Sequence, residues 1–81
     1  MSNLEKYKNT FIKSLDIKES DFKESIQYND VPEWDSIGHM TLISGLEESF
    51  DIAFETDDII DFSSFEKGLE ILAKKYKINF N

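Results

Sequence analysis

The sequence predicts a small all-α protein, a four-helix bundle of three main helices and one short helix with a long first loop. Three observations lead there. Apolar residues recur at helical spacing in three separate segments. Ser, Asp and Thr stand where helix N-caps belong. Three Gly and one Pro in 81 residues leave too few turn formers for an all-β fold.

The elements follow in chain order. Ser2 and Glu5 have the spacing of a capping box, and Leu4, Tyr7, Phe11 and Leu15 then mark one helical face, so a first helix is expected over about 3–15. Residues 16–35 lose that period, and Asn29, Asp30 and Pro32 punctuate them; Pro32 pushes Val31 towards an extended conformation. So long a connection in a small domain is commonly functional or contains a short helix of its own.

A second helix is expected from Ser36 to Phe50, with Asp35 at its N-cap. At 100° per residue Leu42, Ile43, Leu46 and Phe50 share one arc with Met40 at its edge, whereas Ile37 falls outside it. His39 points into the apolar arc, which predicts a partly buried, hydrogen-bonded histidine. Thr56, Asp57 and Asp58 read as the capped start of a short third helix carrying Ile59 and Ile60. Ser63 and Glu66 form a second capping box, and Phe65, Leu69, Leu72 and Tyr76 make the stripe of a last helix over about 64–76. Lys74, Lys75 and Lys77 lie at its C-terminal end, where the helix dipole favours cations.

Composition narrows the possible roles. At 81 residues the chain is expected to form one domain, 1–81, with a single small core. It has no Cys and one His, which removes disulfides, thiolate metal sites and a His-rich metal cage. No uninterrupted apolar run exceeds three residues, so no membrane span or signal-peptide core is expected, and a cytoplasmic monomer is.

The net charge is −8, and residues 24–66 carry twelve acids and no Lys. Such a surface repels phosphate backbones, which argues against nucleic acid, and favours partners that present basic patches. Mutual repulsion is expected to be densest where Asp57, Asp58 and Asp61 meet Glu47, Glu48 and Asp51.

Two chemistries fit poorly. Asp35, Ser36 and His39 crowd one helical turn, whereas a catalytic triad needs its His to bridge the nucleophile and a separate buried carboxylate. No Gly-x-Ser-x-Gly elbow surrounds the serine. The acidic run from Asp51 to Glu66 ends like a calcium loop. Aligning Asp61 with loop position nine, however, puts Ala53 first, Asp58 at the glycine position and Ser64 at the bidentate-glutamate position, so no EF-hand is expected. Ser36 has another possible role. A serine at the mouth of a helix, after an acidic residue in an exposed loop, is open to another enzyme, and the helix N-terminus suits a phosphate there. The plainer reading is that it helps cap the helix.

Asp35-Ser36-Ile37, followed by Leu42, Leu46-Glu47-Glu48 and Phe50-Asp51-Ile52, resembles the acyl carrier proteins, and the likeness extends over essentially the whole chain. In that family the serine is not a catalyst. The resemblance implies that a phosphopantetheinyl transferase attaches 4′-phosphopantetheine from coenzyme A to Ser36, and that the arm's thiol then holds acyl groups as thioesters. It implies that Asp35 assists the Mg²⁺-dependent attachment, that no metal ion resides in the protein, and that the chain itself is no enzyme.

The run from Val31 to Met40, with Trp34 before Asp35 and Ile37, Gly38 and His39 after Ser36, departs from the housekeeping fatty-acid carriers. It is similar to stand-alone carriers of surface-polysaccharide or secondary-metabolite pathways. Gly-Gly-His-Ser, the usual mark of peptidyl carriers, is absent. The implied docking face is Ile37, Met40, Ser44, Glu47 and Glu48, met by acyl-loading synthetases and acyl-accepting enzymes with basic patches. Leu46, Phe50, Ile59 and Ile60 are expected to line a core that opens around the acyl chain. A D-alanyl or aminoacyl carrier is one alternative; a non-carrying acidic helical interaction module, in which Ser36 only caps, is the other.

Overall fold

The computed structural model describes residues 2–80. It is all-helical: α1 (Asn3–Leu15), a single 3-10 turn (Glu19–Asp21), α2 (Ser36–Phe50), α3 (Thr56–Asp61) and α4 (Phe65–Lys75). The only extended pairing among these residues is an isolated antiparallel bridge between Gln27 and Ser64. No described helix is long and apolar enough to cross a membrane.

The helix boundaries have local causes. Ser2 Oγ accepts from the Glu5 N–H at 3.2 Å and opens α1. The helix stops at Asp16, whose φ of 55° is left-handed, a conformation that Asp tolerates better than most residues. Asp51 ends α2 in the same way. α4 is capped one residue later than the spacing suggests. Ser64 Oγ, not Ser63, accepts from the helix, taking the Lys67 N–H at 2.9 Å. Ser63 is used otherwise, because its carbonyl accepts from the Tyr28 N–H at 2.9 Å. At α3 the flanking residue is Glu55 and no side chain caps the helix, so Thr56 lies inside it.

The core gathers around Phe11. Rings of Tyr7, Phe22, Trp34, Phe62 and Phe65 surround it at centroid distances of 5.0–6.5 Å, mostly edge-on. α1 supplies Tyr7, Phe11 and Leu15 to the buried set, α2 supplies Leu42, Ile43 and Leu46, and α4 supplies Phe65, Ile71 and Leu72. Ile71 is an addition to the expected α4 stripe, in which Leu69 and Tyr76 are only half-buried. Gly68 is buried on the same helix, and any Cβ there would collide with the Phe62 ring and the Tyr7 hydroxyl. With no side chain there, both rings come close to the α4 backbone. Tyr7 Oη uses that approach to donate to the Phe65 carbonyl at 2.7 Å.

α3 is held by the end of α4. Asp58 is 1% exposed, and its carboxylate accepts from Lys75 Nζ and from Tyr76 Oη. The same Tyr76 hydroxyl accepts from the Glu55 N–H at 2.9 Å. This corrects the expected centre of acid repulsion: Asp58 turns inward onto a cation instead of joining Asp57 and Asp61 against Glu47, Glu48 and Asp51. Burying a carboxylate requires that pairing, because an unpartnered buried charge is strongly unfavourable.

Candidate functional site at the start of the second helix

The connection before α2 is long, and it is firmly placed. Ile17, Ile26 and Trp34 bury its apolar side chains. The Phe65 N–H donates to the Ile26 carbonyl at 3.0 Å, which holds the loop against the start of α4. The Asn29 N–H closes a turn on the Trp34 carbonyl at 3.1 Å, with Asn29 at a φ of 71°. The result is that Tyr28, eight residues before the helix, lies over its first turn. Tyr28 Oη is 3.3 Å from Ser36 Oγ.

Gly38 makes this approach possible. A Cβ there would run into the Glu33 carbonyl oxygen, so the backbone of residues 33–35 can cross the first turn of α2 only because position 38 has no side chain. Asp35 flanks the helix in an extended conformation, and its Oδ1 accepts from the Gly38 N–H at 2.8 Å. Asp35 is therefore the cap. Ser36 is the first residue of the helix, exposed, with Tyr28 as its hydroxyl's neighbour.

His39 is half-buried, as its place on the helix predicts, and both ring nitrogens are engaged. Trp34 Nε1 donates to His39 Nδ1 at 2.9 Å. An indole N–H can only donate, so Nδ1 is the acceptor and the ring proton resides on Nε2, which donates to the Ile59 carbonyl at 2.8 Å. His39 thereby ties α2 to the last turn of α3, where carbonyls lack helical partners. With both nitrogens committed, the ring is not placed to take a proton from Ser36.

Beside Ser36 a cleft of about 370 Å³ opens between α2 and α3, lined by Tyr28, Ser36, His39, Met40, Ile59, Ile60, Phe62 and Ser63. Its rim is apolar and exposed: Ile60 is 73% and Met40 50% accessible. Of the four residues expected to line a core that opens around an acyl chain, Ile59 and Ile60 also line this cleft, and the other two lie elsewhere. Leu46 is wholly enclosed in the core, and Phe50 lies at the far end of α2 against Phe80 and beneath Lys6 Nζ.

The expected docking residues divide similarly. Ile37, Met40, Ser44 and Glu48 follow one another along an exposed stripe of α2, and Ile37 is 79% accessible. Glu47 stands apart: it is half-buried, and its Oε2 accepts from the Phe54 N–H at 2.8 Å, fixing the chain beyond α2. Two participants escaped the sequence reading. Tyr28 reaches Ser36 through a loop fold that no spacing encodes, and Trp34 is the fixed donor that sets the His39 tautomer. An aromatic residue on each side of a turn containing Asn29 and Pro32 is the only trace of either in the sequence.

Comparison with protein-family models and with curated proteins found no match to this chain.

Proposed function

We propose that the protein is an acyl carrier whose covalent 4′-phosphopantetheine arm is attached at Ser36, serving a specialised biosynthetic pathway. The observation that supports this most is the placement of Ser36: an exposed hydroxyl at the first position of α2, next to Asp35, at the mouth of an apolar cleft. A serine needed only as a cap would be superfluous, because Asp35 already fills that role.

The residues present suit such an arm. Ser36 Oγ provides the attachment oxygen; on attachment an Oγ–P bond forms, the pyrophosphate bond of coenzyme A breaks, and adenosine bisphosphate leaves. The positive end of α2 favours the resulting phosphodiester. Tyr28 Oη, already within 3.3 Å of Ser36 Oγ, supplies a further polar neighbour on the cleft side. Met40, Ile59 and Ile60 offer apolar walls to whatever extends from Ser36. When bound, the arm supplies a terminal thiol that holds an acyl group as a thioester. Partners would approach along Ile37, Met40, Ser44 and Glu48.

Incubation with coenzyme A and a phosphopantetheinyl transferase, followed by intact-mass and peptide mass spectrometry, tests the reading. One arm per chain on Ser36, lost in Ser36→Ala, is the expected result. No gain in mass, or an arm on another serine, removes the carrier role and leaves a helical interaction module.

A further inference from the structure

We propose that the cleft beside Ser36 accepts only a short, uncharged acyl group, because His39 closes the route from the cleft into the core. This rests on the carrier reading of Ser36 and specifies its cargo.

The cleft begins at Ser36 and is walled by Met40, Ile59, Ile60 and Phe62. Its volume, about 370 Å³, is near the lower end of ligand pockets, which run from about 300 to 1,000 Å³. The His39 ring is part of its wall. Tyr28 and Phe62 meet it edge-on at 5.7 and 5.9 Å, and Trp34 stacks on it at 6.1 Å. Trp34, stacked on that ring, is wholly buried, so His39 lies between the cleft and the part of the core that holds Trp34.

A long chain could enter the core only if α2 and α3 parted. That would break the hydrogen bond from His39 Nε2 to the Ile59 carbonyl, leaving a donor and an acceptor unpaired in a half-buried place. α3 cannot swing aside freely either, because Asp58 on its other side is bound to Lys75 and Tyr76. The cleft therefore holds the thioester end and a few carbons, and a longer tail stays outside. A charged terminal group gains nothing there, since apolar walls would strip its hydration without a counter-charge.

The test uses the full chain charged at Ser36 with acetyl, butanoyl, dodecanoyl or glycyl thioesters, loading being verified by mass before spectra are taken. Methyl and indole NMR signals are the readout. Acetyl and butanoyl groups should shift Met40, Ile59 and Ile60. Dodecanoyl should shift the same residues by the same amounts, leaving Leu42, Leu46 and the Trp34 indole N–H unmoved. Glycyl should leave Met40 and Ile60 where the unacylated arm leaves them. His39→Ala should let the dodecanoyl chain reach Leu42 and Leu46. Dodecanoyl-specific shifts at Leu46 or the Trp34 indole in the unmutated chain overturn the proposal, whether or not the variant folds. So does a glycyl group that shifts the cleft as butanoyl does. Failure to load Ser36 is a different result, seen by mass alone, and overturns the carrier reading together with this one.

Discussion

Tyr76 Oη donates to the buried Asp58 carboxylate at 2.6 Å, and Lys75 Nζ completes the pairing from the same end of α4. Three groups thus hold a six-residue helix that is too short to persist by itself, since isolated helices below about 12–15 residues are marginal in water. Asp58→Ala removes the acceptor from both donors. Lys75 can turn to solvent, so the cost is that of unmet bonds and not of a stranded buried charge. A loss of about 1–3 kcal/mol in urea unfolding is expected. Tyr76→Phe, which removes one bond to Asp58 and the acceptor for the Glu55 N–H, should be close behind. A change below a few tenths of a kcal/mol in both would show that α3 is held by its apolar contacts alone.

The same cluster sets a pH window. Asp58 is held below its ordinary value of 3.8, first by the hydrogen bond from Lys75 and then by that from Tyr76. A depressed folded value gives stability that is fully present above the unfolded value and is lost as pH falls through the folded one. Lys75 is raised from 10.5 by its hydrogen bond to Asp58, and Tyr76 is raised from 10.0 by burial and then by the same carboxylate. Their contribution is present below those values and is lost as pH rises through the raised ones. Tyr7, pushed well above 10.0 by burial, adds to the alkaline loss. From these four groups, melting temperature should therefore fall at the acid end and again at the alkaline end. This opposes the gain on mild acidification that charge repulsion alone predicts, and the Asp58→Ala variant should lose less than the unmutated chain on the acid side.

The sequence-level reading reached the helices because their causes are local. Ser2, Asp35 and Ser64 cap by side chains within three residues of the N–H they satisfy, and Tyr7, Phe11 and Leu15 repeat at helical spacing. It missed what depends on distant chain segments. The step from Ser63 to Ser64 as the α4 cap comes from pairing with Gln27 and Tyr28, and the inward turn of Asp58 comes from Lys75, seventeen positions on. At the site, Asp35 and Ser36 were legible from their place at a helix start. Leu46 lies in the core, as its place on the wheel implies, whereas the contact of Phe50 with Phe80 was not legible, because a helical wheel gives a face without saying which neighbour each turn of it meets.

Capping and modification should separate cleanly at two adjacent residues. Asp35→Ala removes the acceptor for the Gly38 N–H and should cost about 1 kcal/mol. Ser36→Ala removes a hydroxyl whose neighbour is exposed Tyr28 and should stay within about 0.5 kcal/mol of the unmutated chain. Thermal melts distinguish the two. If Ser36→Ala proves the more damaging, the serine has a structural duty that its exposed position does not reveal.

Gly38→Ala tests how the loop is seated. The new methyl would strike the Glu33 carbonyl, which is backbone and cannot turn aside as a side chain would. Relief requires moving residues 33–35 off the first turn of α2, and with them the Trp34 donor to His39. Strain of this kind typically costs about 1–3 kcal/mol. It should also change Trp34 fluorescence and slow attachment at Ser36. An alanine variant with unchanged fluorescence and unchanged attachment would mean that the loop accommodates the methyl without moving the site.

Glu47 and Glu48 are adjacent acids with opposite expected behaviour under charge reversal. Glu48 is exposed on the same stripe as Ile37, Met40 and Ser44, whereas Glu47 Oε2 fixes the Phe54 N–H. Rim charges act mainly on encounter rate, so Glu48→Lys should slow transfer by a basic partner at low salt and approach the unmutated rate as salt is added. Its melting temperature should hardly change. Glu47→Lys deprives the Phe54 N–H of its acceptor and should destabilise by about 1–2 kcal/mol at any ionic strength. Any slowing of transfer in that variant should track the loss of fold and not the salt concentration. Loading rates and melts measured together across a salt series therefore separate the two roles. Equal loading by Glu48→Lys and the unmutated chain at low salt would remove Glu48 from the proposed docking face.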